Sequence, residues 1–149
     1  MYKKSMSFYS EKFFPIANDV VTGLLLKHRK KILSMAQGKV LEIGFGSGQS
    51  IGCYPDAVSE VVGLEPNPGM LAKAQKKNDP KLKLISGVAE KLPFADQEFD
   101  GVVSFMTLCS VSDFAQTIRE IKRVLKPDGK LFFIEHVAQP QGSATRSIQ

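Results

Sequence analysis

Apolar residues at Phe13, Ile16, Ala17, Val20, Val21 and Leu24 fall on the i, i+3, i+4, i+7 stripe of an amphipathic helix. The stripe runs on through His28 to Ile32 and Met35, which sets His28 on or beside the buried edge, with Gly38 as the expected stop. Beyond Gly38 the period changes. Short apolar runs at residues 40–43, 60–64, 81–85, 99–105 and 130–135 read as strands buried on both faces. Between the second and third, Asn67 followed by Pro68 supplies an N-cap and a first-turn proline for a helix reaching about residue 77. Between the fourth and fifth, Asp113 can cap a helix with apolar Phe114, Ile118, Ile121 and Leu125, before Pro127-Asp128-Gly129 turns the chain. Strands alternating with helices require right-handed crossovers, so the expected class is α/β, an open sheet with helices on both faces.

One junction in this pattern carries chemistry. Glu42-Ile43-Gly44-Phe45-Gly46-Ser47-Gly48 stands at the end of the first strand, where a loop of alternate glycines lets a ligand approach the backbone. Open α/β sheets bind cofactors at that edge. The spacing narrows the cofactor, because a dinucleotide fingerprint needs glycine where Gln49 stands, and a P-loop needs a Lys-Ser or Lys-Thr pair that is missing. A nucleophile elbow needs serine where Gly46 stands. Glu65 ends the second strand, 21 residues after Gly44, in position to accept both hydroxyls of an adenosine ribose.

Composition narrows the reading further. The 149 residues are 43% hydrophobic and 23% charged, an ordinary single-domain balance. The net charge of +5 is concentrated in residues 1–39, with eight Lys and Arg against two acids, whereas residues 40–149 hold twelve against thirteen. A nucleic-acid groove needs cations spread along a face, so no nucleic-acid partner is expected. Cys53 and Cys109 show no metal-ligand spacing and no disulfide framework, which points to the reducing cytoplasm and to no metal site. No apolar run approaches the roughly 20 residues of a membrane span, and Pro15, Asn18 and Asp19 interrupt any signal-peptide core behind Lys3 and Lys4.

The glycine loop with Glu42 resembles the first motif of class I S-adenosylmethionine-dependent methyltransferases. Glu65-Pro66-Asn67-Pro68-Gly69-Met70 is similar to the second motif, and residues 87–94 followed by Phe99-Asp100 resemble the ubiquinone/menaquinone C-methyltransferase-like (type 11) group. Residues 123–129 are similar to the family's turn before the fifth strand, while Cys53-Tyr54-Pro55, residues 108–111 and residues 135–138 look most like the thiol and phospholipid methyltransferase branch. The resemblance implies a Rossmann-like doubly wound sheet of five parallel strands in order 3-2-1-4-5, preceded by the amphipathic helix. It implies S-adenosyl-L-methionine as cofactor and a small, apolar methyl acceptor: a thiol, a lipid or a quinone-like molecule. It also divides the chain into an N-terminal helical cover at 1–38, a cofactor-binding domain at 39–138 and a polar tail at 139–149.

Carried over by residue, the resemblance has Glu42 and the backbone around Gly44, Phe45, Gly46 and Gly48 holding the methionine amino and carboxyl ends. Glu65 and Pro66 would serve the ribose, Met70 would lie near the adenine, Ala89 and Glu90 would meet the ring edge, and Phe105 and Thr107 would flank the methionine moiety. Val88 stands where the family often has an acid. No catalytic side chain is assigned, since a sulfonium methyl is already activated and the protein mainly aligns the reactants and excludes water.

Four further features have two readings each. His136, at the end of the fifth strand, is a packing residue or a base for a thiol acceptor; Cys109 is a small buried apolar residue or a reactive thiol. Phe8, Tyr9, Phe13 and Phe14 are core or an apolar acceptor lid. Lys27-His28-Arg29-Lys30-Lys31 is a solvated helix face or a contact for an anionic membrane surface. The family fold adds two strands after the fifth, which this chain lacks, so Leu131-Phe132-Phe133-Ile134 is an unpartnered apolar edge. The expectation is a truncation, with a homodimer through that edge. The rival functions are a non-catalytic or truncated S-adenosylmethionine-binding module and an NAD- or FAD-binding oxidoreductase domain.

Overall fold

The computed structural model describes residues 26–135. The expectations for residues 1–25, among them the aromatic cluster, and for His136 and the polar tail lie outside the described residues. The elements are α1 (Leu26–Leu33), β1 (Gly38–Ile43), β2 (Val58–Leu64), α2 (Pro68–Gln75), β3 (Leu82–Ile85), β4 (Phe99–Phe105), α3 (Phe114–Val124) and β5 (Leu125–Ile134). The five strands form one sheet in the order β3-β2-β1-β4-β5, every pairing parallel. No described helix is long and apolar enough to cross a membrane.

Consecutive side chains of a strand point to opposite faces, and here both faces are covered. Val40 of β1, Val61 of β2 and Val103 of β4 join Leu33, Ala36, Ala74 and Phe132 in one core. Their neighbours Leu41, Val62 and Val102 join Leu92, Phe99, Ile121 and Val124 in the other. The continuous apolar runs follow from this arrangement. Both helix caps are as the sequence implies: Asn67 Oδ1 accepts from the amides of Gly69 at 2.9 Å and Met70 at 3.1 Å, and Asp113 Oδ1 accepts from Gln116 at 2.9 Å.

The structure corrects the sequence reading at four places. Along α1 the buried residues are Arg29 and Leu33, followed by Ala36, whereas His28 is exposed and Met35 is 60% exposed. The stripe is turned by one residue because a charged side chain occupies an inward position, where Glu42 and Ser50 receive it. The helix ends at Leu33, and Gly38 opens β1 instead of capping the helix. After the glycine loop the chain runs through successive turns, closed by Gly48 N to Phe45 O, Ile51 N to Gly48 O and Cys53 N to Ser50 O. Gly48 (φ +81°) and Gly52 (φ +76°) are left-handed, which interrupts an α-helix over the segment. Finally β5 begins at Leu125, and Lys126 to Gly129 form an irregularity between the pairs Phe99–Leu125 and Gly101–Lys130. Among the described residues β5 pairs with β4 alone, with Phe133 56% exposed.

Candidate functional site

The carboxyl ends of β1, β2 and β4 open onto a cleft of about 370 Å³. Ten of the twelve residues expected to serve a cofactor line it. Gly44, Phe45 and Gly46 come from the loop after β1; Glu65, Pro66 and Met70 from the β2–α2 junction; Ala89 and Glu90 from the segment after β3; Phe105 and Thr107 from the end of β4. The structure brings these together because a parallel sheet aligns all its carboxyl ends on one edge. Gly48 and Glu42 do not line the cleft.

The loop after β1 is shaped by its neighbours. Gly44 has φ +64°, and a Cβ there would overlap the Thr107 side chain beyond β4. Thr107 Oγ1 lies 3.3 Å from the carbonyl of Ile43, to which it donates, so the ends of β1 and β4 interlock. The Phe45 ring is buried over β2, where Gly63 leaves it room.

Glu65 is 93% buried, yet it stands at the cleft. Its Oε2 accepts from the Gly46 amide at 2.9 Å and its Oε1 from the Asn67 amide at 2.8 Å. Burial pushes its carboxyl above the ordinary glutamate value, while the Asn67 and Gly46 amides pull it down. A carboxylate has about four lone-pair sites, so each oxygen keeps capacity for one more donor.

Glu42 lies beneath the loop, not in the cleft. Ser50 Oγ donates to its Oε1 at 2.6 Å and the Tyr54 hydroxyl donates to its Oε2. Burial pushes the Glu42 carboxyl up, against the bonds from Ser50 and Tyr54 and the charge of Arg29; burial beside Glu42 pushes the Tyr54 hydroxyl well up. The carboxylate expected to grip the methionine end thus lies outside the cleft lining and accepts from Ser50 and Tyr54.

The wall opposite Glu65 is the segment after β4. Met106 sits in the left-handed region (φ +58°) with its amide donating to Ile134 at 2.7 Å, and the following residues wrap around Glu135. Farther on, the amide of Ser112 donates to Glu90 Oε1 at 2.6 Å, and the Glu90 carboxyl is held below its ordinary value by its own backbone amide first, with the amides of Ser112 and Asp113. Cys109 is exposed, contrary to the buried reading, with its thiol donating to Met106 O at 3.7 Å; it lies outside the cleft lining. Val88, at 48% exposure, lines the rim and Ala89 is buried.

Two charged residues that shape the site carry no role in the sequence reading. Arg29 is one; its signal was a cation at helical spacing with Leu33 and Ala36. Glu135 is the other, and its role requires β5 to lie beside β4.

The model of the family described as a methyltransferase domain matches residues 41–133. The chain belongs to that methyltransferase family. Its relatives include the uncharacterised methyltransferase YcgJ of Bacillus subtilis, 31% identical over 91% of this chain and 53% of that protein. The demethylmenaquinone methyltransferase of Renibacterium salmoninarum is 35% identical over 82% of this chain and 53% of its own. The human thiol S-methyltransferase TMT1B is 38% identical over 76% and 49%. The crystal structure of YcgJ superposes with a TM-score of 0.66 at 32% identity, covering 78% of this chain and 50% of that one. The chain thus spans about half the length of the curated relatives it matches.

Proposed function

We propose that the cleft binds S-adenosyl-L-methionine and that the chain transfers its methyl group to a small, apolar acceptor. The observation that carries this reading is Glu65, a buried carboxylate held at the cleft by the amides of Gly46 and Asn67 with acceptor capacity to spare. A vicinal diol such as ribose offers two matching donors. Pro66 and Met70 would lie along the nucleoside, Ala89 and Glu90 would give backbone contacts to the adenine edge, and Phe105 and Thr107 would flank the methionine part. Gly44 and Gly46 would bring backbone to the same part, with Phe45 and Gly48 shaping the loop beneath. The cleft of about 370 Å³ falls within the usual ~300–1,000 Å³ range for ligand pockets.

Bound there, the cofactor supplies a methyl group already activated by its sulfonium. What the chain contributes is alignment and exclusion of water, which in favourable cases lowers a barrier by about 7–11 kcal/mol. Phe105, Met106 and Val111 give the cleft an apolar wall on the side of the β4 end, consistent with an apolar acceptor. Relatives are named for a quinone and for a thiol, so both classes are the first to assay. The test is transfer of labelled methyl to an alkyl thiol and to a demethylmenaquinone. Transfer to either supports the reading; cofactor binding without transfer to any acceptor favours the non-catalytic module.

Three finer elements belong to the same proposal. The free thiols Cys53 and Cys109 support a cytoplasmic setting. The exposed Lys27, Lys30 and Lys31 support contact with an anionic surface, tested by salt-dependent binding to anionic vesicles. The exposed Phe133 on β5 supports self-association, tested by light scattering over a concentration series. The division at residues 38 and 138 is tested by limited proteolysis.

A further inference from the structure

The segment after β4, residues 106–112, lies along the cleft as a strap and contributes Met106, Thr107, Ser110, Val111 and Ser112 to its lining. Two carboxylates from different elements hold it. At the near end Glu135, just past β5, accepts from Ser104 Oγ at 2.6 Å, from the amides of Thr107 and Leu108 at 3.0 Å each and from that of Cys109 at 3.4 Å. At the far end Glu90, in the segment after β3, accepts from the Ser112 amide at 2.6 Å. Between these clamps Leu108 and Val111 pack partly against the core.

The two ends are unequal. The Glu135 end gathers four donors and follows Met106, whose φ of +58° and amide bond to Ile134 fix the chain as it leaves β4. The Glu90 end is open to water, with Ser112 exposed and Glu90 half-buried. Val88 and Phe114, each two residues from a partner in that bond, are 48% and 57% exposed, so their side chains do not seal it. A strap fixed firmly at one end and by an exposed hydrogen bond at the other opens from the weaker end. Opening there uncovers the part of the cleft lined by Ala89 and Glu90, where the adenine would lie, while Thr107 stays in place against Gly44.

We infer that the Glu90–Ser112 hydrogen bond is the latch of a gate, residues 110–112, through which the cofactor enters and S-adenosylhomocysteine leaves, with Glu90 as the positioning residue that holds the gate shut. The inference rests on the proposed cofactor reading. The latch joins two groups of the chain itself, so weakening it favours the open cleft whether or not a ligand is inside. Entry and exit then speed up together, and the affinity, which is their ratio, hardly moves. A side chain that gripped the ligand would behave differently, its loss raising the exit rate alone.

The experiment follows association and dissociation of S-adenosylhomocysteine by stopped flow in the wild-type chain, in Glu90→Ala and in Ser112→Pro, which removes the donor amide and leaves Glu90 intact. Thermal melting is the folding control; if Ser112→Pro does not fold, Glu90→Ala decides. Both rates should rise at least about fivefold in each variant, while their ratio shifts less than about twofold. Hydrogen exchange of the ligand-free chain gives a readout that needs no ligand: in Glu90→Ala the amides of residues 110–113 should exchange faster and those of Thr107 and Leu108 should not change. A rise in the dissociation rate alone, no change in either rate, or loosening of the whole strap in step would overturn the gate while leaving the cofactor reading standing. Failure of the wild-type chain to bind S-adenosylhomocysteine would overturn both.

Discussion

Glu135 at the end of β5 holds Thr107 beyond the end of β4: its Oε1 accepts from the Thr107 amide at 3.0 Å, and also from the Leu108 amide at 3.0 Å and Ser104 Oγ at 2.6 Å. A carboxylate gathering successive amides turns the chain sharply, and Thr107 is thereby set against Gly44 in the loop after β1. One acidic side chain on β5 therefore fixes a wall of the cleft, while Glu90 holds the same segment farther on through Ser112.

Replacing Glu135 by Gln keeps the size but puts an NH₂ where one oxygen accepts. Charge-assisted bonds of roughly 1.5–3 kcal/mol are weakened, so the Thr107 and Leu108 amides should exchange hydrogen about tenfold faster or more. Amides in the centre of β1 should be unchanged. Hydrogen exchange resolved by residue checks both.

Gly44→Ala places a Cβ against Thr107 and a non-glycine residue at φ +64°. The expected loss is about 1–3 kcal/mol, measured by denaturant unfolding. Pairing it with Thr107→Ala should recover only part of the loss, since the Cβ of residue 107 stays 2.8 Å from the new Cβ and the backbone conformation still disfavours alanine.

These relationships mark where the sequence was legible. β4 was read to the residue and β1 to β3 nearly so, because strands covered on both faces write continuous apolar runs. The glycine loop and Glu65 were legible because a strand end, a left-handed glycine and an acid one strand later leave local marks. Arg29 was not, since an inward cation contradicts the apolar stripe unless Glu42 and Ser50 are known to receive it. The start of β5 was hidden by Pro127-Asp128-Gly129, which reads as a turn yet lies in a register irregularity between two paired stretches. Glu135 had no local signal at all.

Tyr54→Phe removes the hydroxyl that donates to Glu42 Oε2 and leaves that oxygen buried without its donor. The cost should be about 1–3 kcal/mol of stability. Pairing it with Glu42→Gln should give a non-additive change, since both act on one network; thermal or urea unfolding of the two single variants and the double variant measures it.

Glu65 should give apo stability and ligand affinity opposite dependences on pH. Burial raises its folded pKa above the unfolded value, so its contribution to stability is fully present below the unfolded pKa and is lost as pH rises through the folded one. Ligand binding needs the ionised form to accept hydroxyls, so affinity should fall as pH drops, beginning above the ordinary glutamate value of about 4.3. In Glu65→Gln that pH dependence of affinity should vanish. Calorimetric titrations at stepped pH values test it.

Calorimetry of the wild-type chain and Glu65→Ala with S-adenosylhomocysteine and with NAD decides which ligand the cleft takes. The expected result is one-to-one binding of S-adenosylhomocysteine, weakened at least about tenfold in Glu65→Ala, and no comparable binding of NAD. Tight binding of NAD with no response to S-adenosylhomocysteine would contradict it.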